Sequence, residues 1–146
     1  MKAQRGFSLL ELLIVVAIVG IISAIAIPGL RKAKQNAQSG SAMQSLRMIT
    51  TAQHLFERKY KRYAVLADLS PEGSIDTNIA SGYKSGYDFV VTLAPDAAGR
   101  PDMSFSCTAT PEEEPANRPF YFVDETAVIR FNEGAAADAS SPPIPR

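Results

Sequence analysis

From Phe7 to Ile27 the chain is an almost unbroken apolar run, FSLLELLIVVAIVGIISAIAI, with one acid, Glu11, near its start. At about 1.5 Å per residue these 21 residues make a helix of roughly 31 Å, close to the thickness of a bilayer's hydrocarbon layer. An ionised carboxylate at the centre of such a helix costs roughly 2.5 to 3.5 kcal/mol on insertion scales. A segment that only anchors or exports a chain has no use for that acid.

The helical pattern is interrupted and then resumes. Pro28 has no N–H to donate and its ring meets the carbonyl of Ala24, at a cost of about 3 kcal/mol inside a helix. With Gly29 beside it, the helix is expected either to stop or to kink there. Ser39-Gly40-Ser41 is a second weak point. Beyond it Ala42, Leu46, Ile49, Gln53, Phe56, Tyr60 and Tyr63 recur at spacings of three and four, one face of a helix. Met43, Met48, Ala52 and Leu55 widen that stripe, and Gln44, Arg47, Thr51, His54 and Arg58 fall opposite. The pattern predicts an amphipathic helix over residues 31 to 61, packed on a globular part rather than lying in a membrane interface.

The period then changes. Residues 65 to 69 read as a short helical turn and residues 73 to 86, rich in Gly, Ser and Asn, as a loop. Tyr87 to Leu93 is β-branched and aromatic. Met103 to Thr110 alternates Met103, Phe105, Cys107 and Ala109 against Ser and Thr, the clearest two-residue period in the chain. Pro111 to Arg118 is an acidic, proline-bearing loop. Phe120 to Val123 and Ala127 to Phe131 form a hairpin around Asp124-Glu125-Thr126. The expected architecture is α+β: one long helix on a small antiparallel sheet of about four strands. The expected boundaries are residues 7–30 and 31–63, a β domain over 64–134 and an extended tail over 135–146.

Charge and chemistry change this picture little. Fifteen basic and fifteen acidic residues cancel, so no global field draws the chain to nucleic acid. Arg58, Lys59, Lys61 and Arg62 cluster, but no base-reading element accompanies them, and nucleic acid is not an expected partner. The lone cysteine, Cys107, rules out an intrachain disulfide and reads as a small buried hydrophobe. The lone histidine, His54, reads as exposed helix surface rather than a ligand. Glu112-Glu113-Glu114 reads as a solvated loop rather than a Ca²⁺ site. The aromatic rings read as core rather than as an electron path. No P-loop or dinucleotide motif is present, and neither catalysis nor a metal or other cofactor is expected.

Three readings of the N-terminal segment compete. Lys2 and Arg5 before the run, with Ala24-Ile25-Ala26 near its end, fit a secretory signal, although the apolar stretch is long for one and contains Glu11. A signal anchor fits the length but not Glu11. Its orientation is ambiguous and slightly favours the inverted topology, because Arg31, Lys32 and Lys34 follow the run and only Lys2 and Arg5 precede it. The third reading is a segment used first in a membrane and then in an assembly. Gly6-Phe7-Ser8-Leu9-Leu10-Glu11, the apolar run to Ile22 and Ala26-Ile27-Pro28 closely resemble the N-terminal signature of type IV prepilins and of type II secretion pseudopilins. The likeness is dense over residues 5 to 30 and only architectural beyond them.

That resemblance implies a leader over residues 1–6, cut by a prepilin peptidase between Gly6 and Phe7, with N-methylation of Phe7. Loss of Lys2 and Arg5 leaves thirteen basic and fifteen acidic side chains, a net charge of −2. It implies a bacterial inner-membrane protein, single-pass with its N-terminus cytoplasmic. An assembly platform driven by a cytoplasmic ATPase would polymerise it with identical or homologous subunits. The product would be an extracellular or periplasmic filament. Glu11 would face the Phe7 amine of a neighbour, where low dielectric strengthens the pair and an unpaired charge is costly. Pro28 and Gly29 would mark a kink or a stretch that melts on assembly. The rival expectations are a type II secretion pseudopilin or a minor pilin and, from another class, a domain released after Ala26.

Overall fold

The computed structural model describes residues 7–71, 74–96 and 98–145. The chain divides into two units, Met1–Asn36 and Ala37–Arg146. One helix, α1 (Leu9–Tyr60), contributes to both.

In the first unit α1 carries the apolar run, and the large apolar side chains from Leu9 to Leu30 are exposed. It is the one helix among the described residues long and apolar enough to cross a membrane. The helix continues through Pro28 and Gly29.

In the second unit the buried face of α1 comprises Ala42, Ser45, Leu46, Ile49, Thr50, Ala52, Gln53 and Phe56. Thr50 Oγ1 donates back to the Leu46 carbonyl at 2.8 Å, which lets a hydroxyl sit in an apolar seam. Leu55, expected in this stripe, is instead 51% exposed. It lies one turn from Thr51 and Arg58, both exposed, so 3.6-residue geometry puts it on the outer face. Gln53, the polar member of the stripe, is fully buried. Its Nε2 donates to the Ala64 carbonyl at 2.6 Å and its Oε1 accepts from the Ala64 N–H at 2.9 Å. That pair fixes the chain where it leaves the helix.

The sheet has five strands, β1 (Tyr83–Lys84), β2 (Tyr87–Ala94), β3 (Ser104–Pro111), β4 (Pro119–Asp124) and β5 (Arg130–Glu133). They pair in chain order, all antiparallel. The α+β expectation holds, with one more strand than the four read from the sequence. Registers Phe89↔Ala109, Cys107↔Val123 and Ala109↔Tyr121 set these residues on the face that joins Leu46, Ile49 and Phe56 in one core. Burial of such side chains stabilises by about 1.5 to 3 kcal/mol each.

Within 74–86, expected as loop, the chain forms a short helix and a short strand. Helix α2 (Leu66–Leu69) precedes this stretch and α3 (Thr77–Ala80) lies within it. Asp76 caps α3 by accepting from the Ile79 N–H at 2.9 Å, and Ile75 and Ile79 are buried anchors. Between β1 and β2, Ser85 and Gly86 both have positive φ, 53° and 76°, the geometry of a type I′ hairpin turn. A two-residue strand is too short to show a period. The last hairpin differs too: its second strand begins at Arg130, not Ala127. Asp124 Oδ1 takes the Thr126 N–H at 2.9 Å and Ala127 is left-handed at φ 61°, so the turn consumes the residues before β5.

The tail runs beside β5. Phe131 N–H donates to Pro142 O at 3.0 Å, Ile144 N–H to Ile129 O at 3.1 Å, and Arg130 Nη1 to Ser141 O at 2.9 Å. Ala137 and Ser141 in the tail are buried.

Candidate functional site

The residues that carry the resemblance stand at the start of α1. Phe7 and Ser8 precede the helix, and the Leu12 N–H donates to the Ser8 carbonyl at 3.2 Å, which makes Ser8 the helix-starting residue. Phe7 is 76% exposed. Glu11 lies in the first turn and is exposed. Its place there has a local cause as well. Ser8-x-x-Glu11 has the spacing of a capping box, and an acid in the first turn offsets the helix dipole and the unpaired N–H groups. That signal was readable in the sequence. Gly6 and the rest of the leader expected over residues 1–6 lie outside the described residues.

Pro28 stands inside the helix, and its missing N–H leaves the Ala24 carbonyl without its usual donor. A Cβ added at Gly29 would meet no heavy atom within 4 Å. Packing within this chain therefore does not require a glycine there, and the glycine lowers local helix stability by about 1 kcal/mol.

The other candidates are dispersed through the second unit. His54 is half-buried rather than exposed, as expected from the helical pattern alone, because its ring meets Tyr63 and Phe105 edge-on at 6.2 and 6.3 Å. Two of the four clustered cations are occupied by aromatic faces. Lys59 lies 4.9 Å from the Tyr60 ring centre and Arg62 5.4 Å from that of Phe56, while Arg62 also meets Asp102 at 3.9 Å. Glu112 accepts from the Tyr83 hydroxyl at 2.7 Å, and this bond raises the Tyr83 pKa. Among the described residues no group of three or more His, Cys, Asp or Glu side chains is placed to hold a metal ion.

Cys107 is fully buried on β3, and desolvation pushes its thiol up to about 12. A thiolate is the reactive form, so the native chain is expected to resist iodoacetamide at pH 8 for hours and to label within minutes in denaturant. Mass spectrometry of the alkylated chain reads this directly, and fast native labelling would show that the core opens at β3.

These positions sit within a wider likeness. The prokaryotic N-terminal methylation motif matches residues 1–27. The chain is 44% identical over 65 residues to the type IV major pilin protein PilA of Myxococcus xanthus, covering 44% of this chain and 30% of that protein. It is 48% identical over 52 residues to a fimbrial protein of Pseudomonas aeruginosa, covering 36% and 34%. It is 30% identical over 63 residues to the type II secretion system core protein G of Klebsiella pneumoniae, covering 43% and 45%. The matched stretches thus span about a third of the length of the first two relatives. Over its N-terminal stretch the chain is thus similar to type IV pilins and to a type II secretion core protein, and its α+β fold agrees with that likeness.

Proposed function

We propose that the chain is a structural pilin subunit. A prepilin peptidase cuts it between Gly6 and Phe7 and methylates the new Phe7 amine. The apolar half of α1 then holds it in the inner membrane, N-terminus in the cytoplasm. A platform driven by a cytoplasmic ATPase draws it, with identical or homologous subunits, into a type IV pilus-like filament outside that membrane. The chain itself performs no catalysis.

The observation that carries this reading is Gly6-Phe7-Ser8-Leu9-Leu10-Glu11 at the head of an exposed apolar helix, inside the stretch that matches the methylation motif. Exposed apolar surface of that extent needs either lipid or other helices around it. In the filament Glu11 pairs with the Phe7 amine of a neighbour, and Pro28 and Gly29 are where α1 gives way during assembly. The likeness to core protein G favours a second reading, a pseudopilin in a short secretion filament.

Intact mass and N-terminal peptide mapping of the protein from native membranes test the route. The expected chain begins at N-methylated Phe7. A chain beginning at Ile27, or one still carrying Met1 in cells with active peptidase, overturns it.

A further inference from the structure

Net neutrality hides a division of charge. Residues 31 to 62 hold eight basic side chains and one acid, Glu57, whereas residues 63 to 146 hold five basic and thirteen acidic. Arg47 lies at the middle of the basic stretch, on the exposed side of α1. Its guanidinium makes no ion pair or hydrogen bond among the described residues. Beside it runs a groove between α1 and the β5–tail edge, formed by cavities of about 490, 200 and 380 Å³ that all reach Arg47. The walls are mostly apolar, with Ala127, Ile129, Ile144 and Pro145 on the far side. Glu133 shares the 380 Å³ cavity with Arg47 and disfavours an acid there, which leaves the other two cavities beside Arg47 as the place for a carboxylate.

The same unit displays a shape that complements this groove. The turn Glu112-Glu113-Glu114-Pro115-Ala116 between β3 and β4 is exposed throughout. It is also held firmly from beneath. Arg118, fully buried, stacks on Tyr87 with its guanidinium carbon 4.7 Å from the ring centre. The Gly134 N–H donates to the Arg118 carbonyl at 3.1 Å, and a Cβ at Gly134 would stand 2.8 Å from the Ala116 carbonyl oxygen, so only glycine permits the approach. At the other end the Glu112 N–H donates to Gly86 O at 3.1 Å. Acids followed by Pro-Ala on a fixed turn match an apolar groove with one cation.

We propose that the groove around Arg47 receives the Glu113-Glu114-Pro115 turn of a second copy of this chain. Groove and turn are different surfaces of one unit, so the contact is head-to-tail and propagates into an open helical array instead of closing a dimer. The proposal rests on the filament reading. It adds the contact that sets how neighbouring β domains dock.

The test uses filaments sheared from cells making the full chain. Arg47→Glu is expected to lower sheared filament at least tenfold with the membrane pool unchanged, since like charges at a docking surface are strongly unfavourable. Adding Glu113→Arg and Glu114→Arg to that variant is expected to restore it. Independently, Arg47→Cys with Glu114→Cys is expected to give disulfide-linked multimers on mild oxidation of filaments, with neither single variant doing so. Wild-type yield in Arg47→Glu, or loss without rescue together with absence of the cross-link, overturns the proposal while wild-type filaments still form. Absence of wild-type filaments, or a mature chain not beginning at Phe7, overturns the filament reading itself.

Discussion

A Glu11→Gln chain is expected to be cut and N-methylated normally, to accumulate in the membrane, and to yield at least a hundredfold less filament. The substitution separates the two roles Glu11 can have. Gln satisfies a capping box as Glu does, so the first turn of α1 keeps its local support. What is lost is the charge. Removing one partner of a buried ion pair costs about 3 to 5 kcal/mol because the other charge is left without compensation, and each 1.4 kcal/mol is a factor of ten. Immunoblots of sheared and membrane fractions, with N-terminal mass analysis of both, measure the effect. Wild-type filament yield from the Gln variant would mean that Glu11 is a helix-start residue and nothing more.

Gln53→Leu is expected to destabilise the second unit by about 3 kcal/mol, enough to lower its melting temperature by roughly 10 °C. The side chain is fully buried and satisfies both backbone groups of Ala64, itself fully buried. Leu has a similar volume and loses no packing, so the loss isolates the two hydrogen bonds. A buried backbone group left unpaired costs about 1 to 3 kcal/mol. Gln53→Glu keeps an acceptor for the Ala64 N–H but turns a second oxygen toward the carbonyl, and is expected to destabilise as well. Thermal unfolding of the detergent-solubilised chain, followed by near-ultraviolet dichroism of the buried tyrosines, gives the measurement. A change under about 1 kcal/mol would show that solvent reaches Ala64 when the side chain is gone.

The long helix was legible because its signals are local and repeated. A 21-residue, almost unbroken apolar run and then a stripe from Ala42 to Phe56 leave little else for the chain to do. β3 was legible because strict alternation of Phe105, Cys107 and Ala109 with hydroxyl residues is what a strand with one buried face requires. The candidate site was named through the resemblance of a run of neighbouring residues, Gly6 to Glu11, which needs no tertiary contact to be read.

The features that escaped are those whose cause lies elsewhere in the chain or is too short to repeat. β1 exists because Ser85 and Gly86 turn Lys84 back onto Tyr87, and a pair of residues has no periodicity. Gln53 looked like a flaw in an apolar stripe until Ala64, eleven residues on, supplied its two partners. His54 looked exposed on a helical wheel until Tyr63 and Phe105 closed over it. The same holds for the groove at Arg47, whose far wall comes from residues eighty and more positions away. The sequence alone therefore determined the long helix and the alternating strand β3, since period acts over a few residues. Only the tertiary structure decided which polar side chains are satisfied and which surfaces complement each other, because hydrogen-bond partners and groove walls are set by contacts between distant segments.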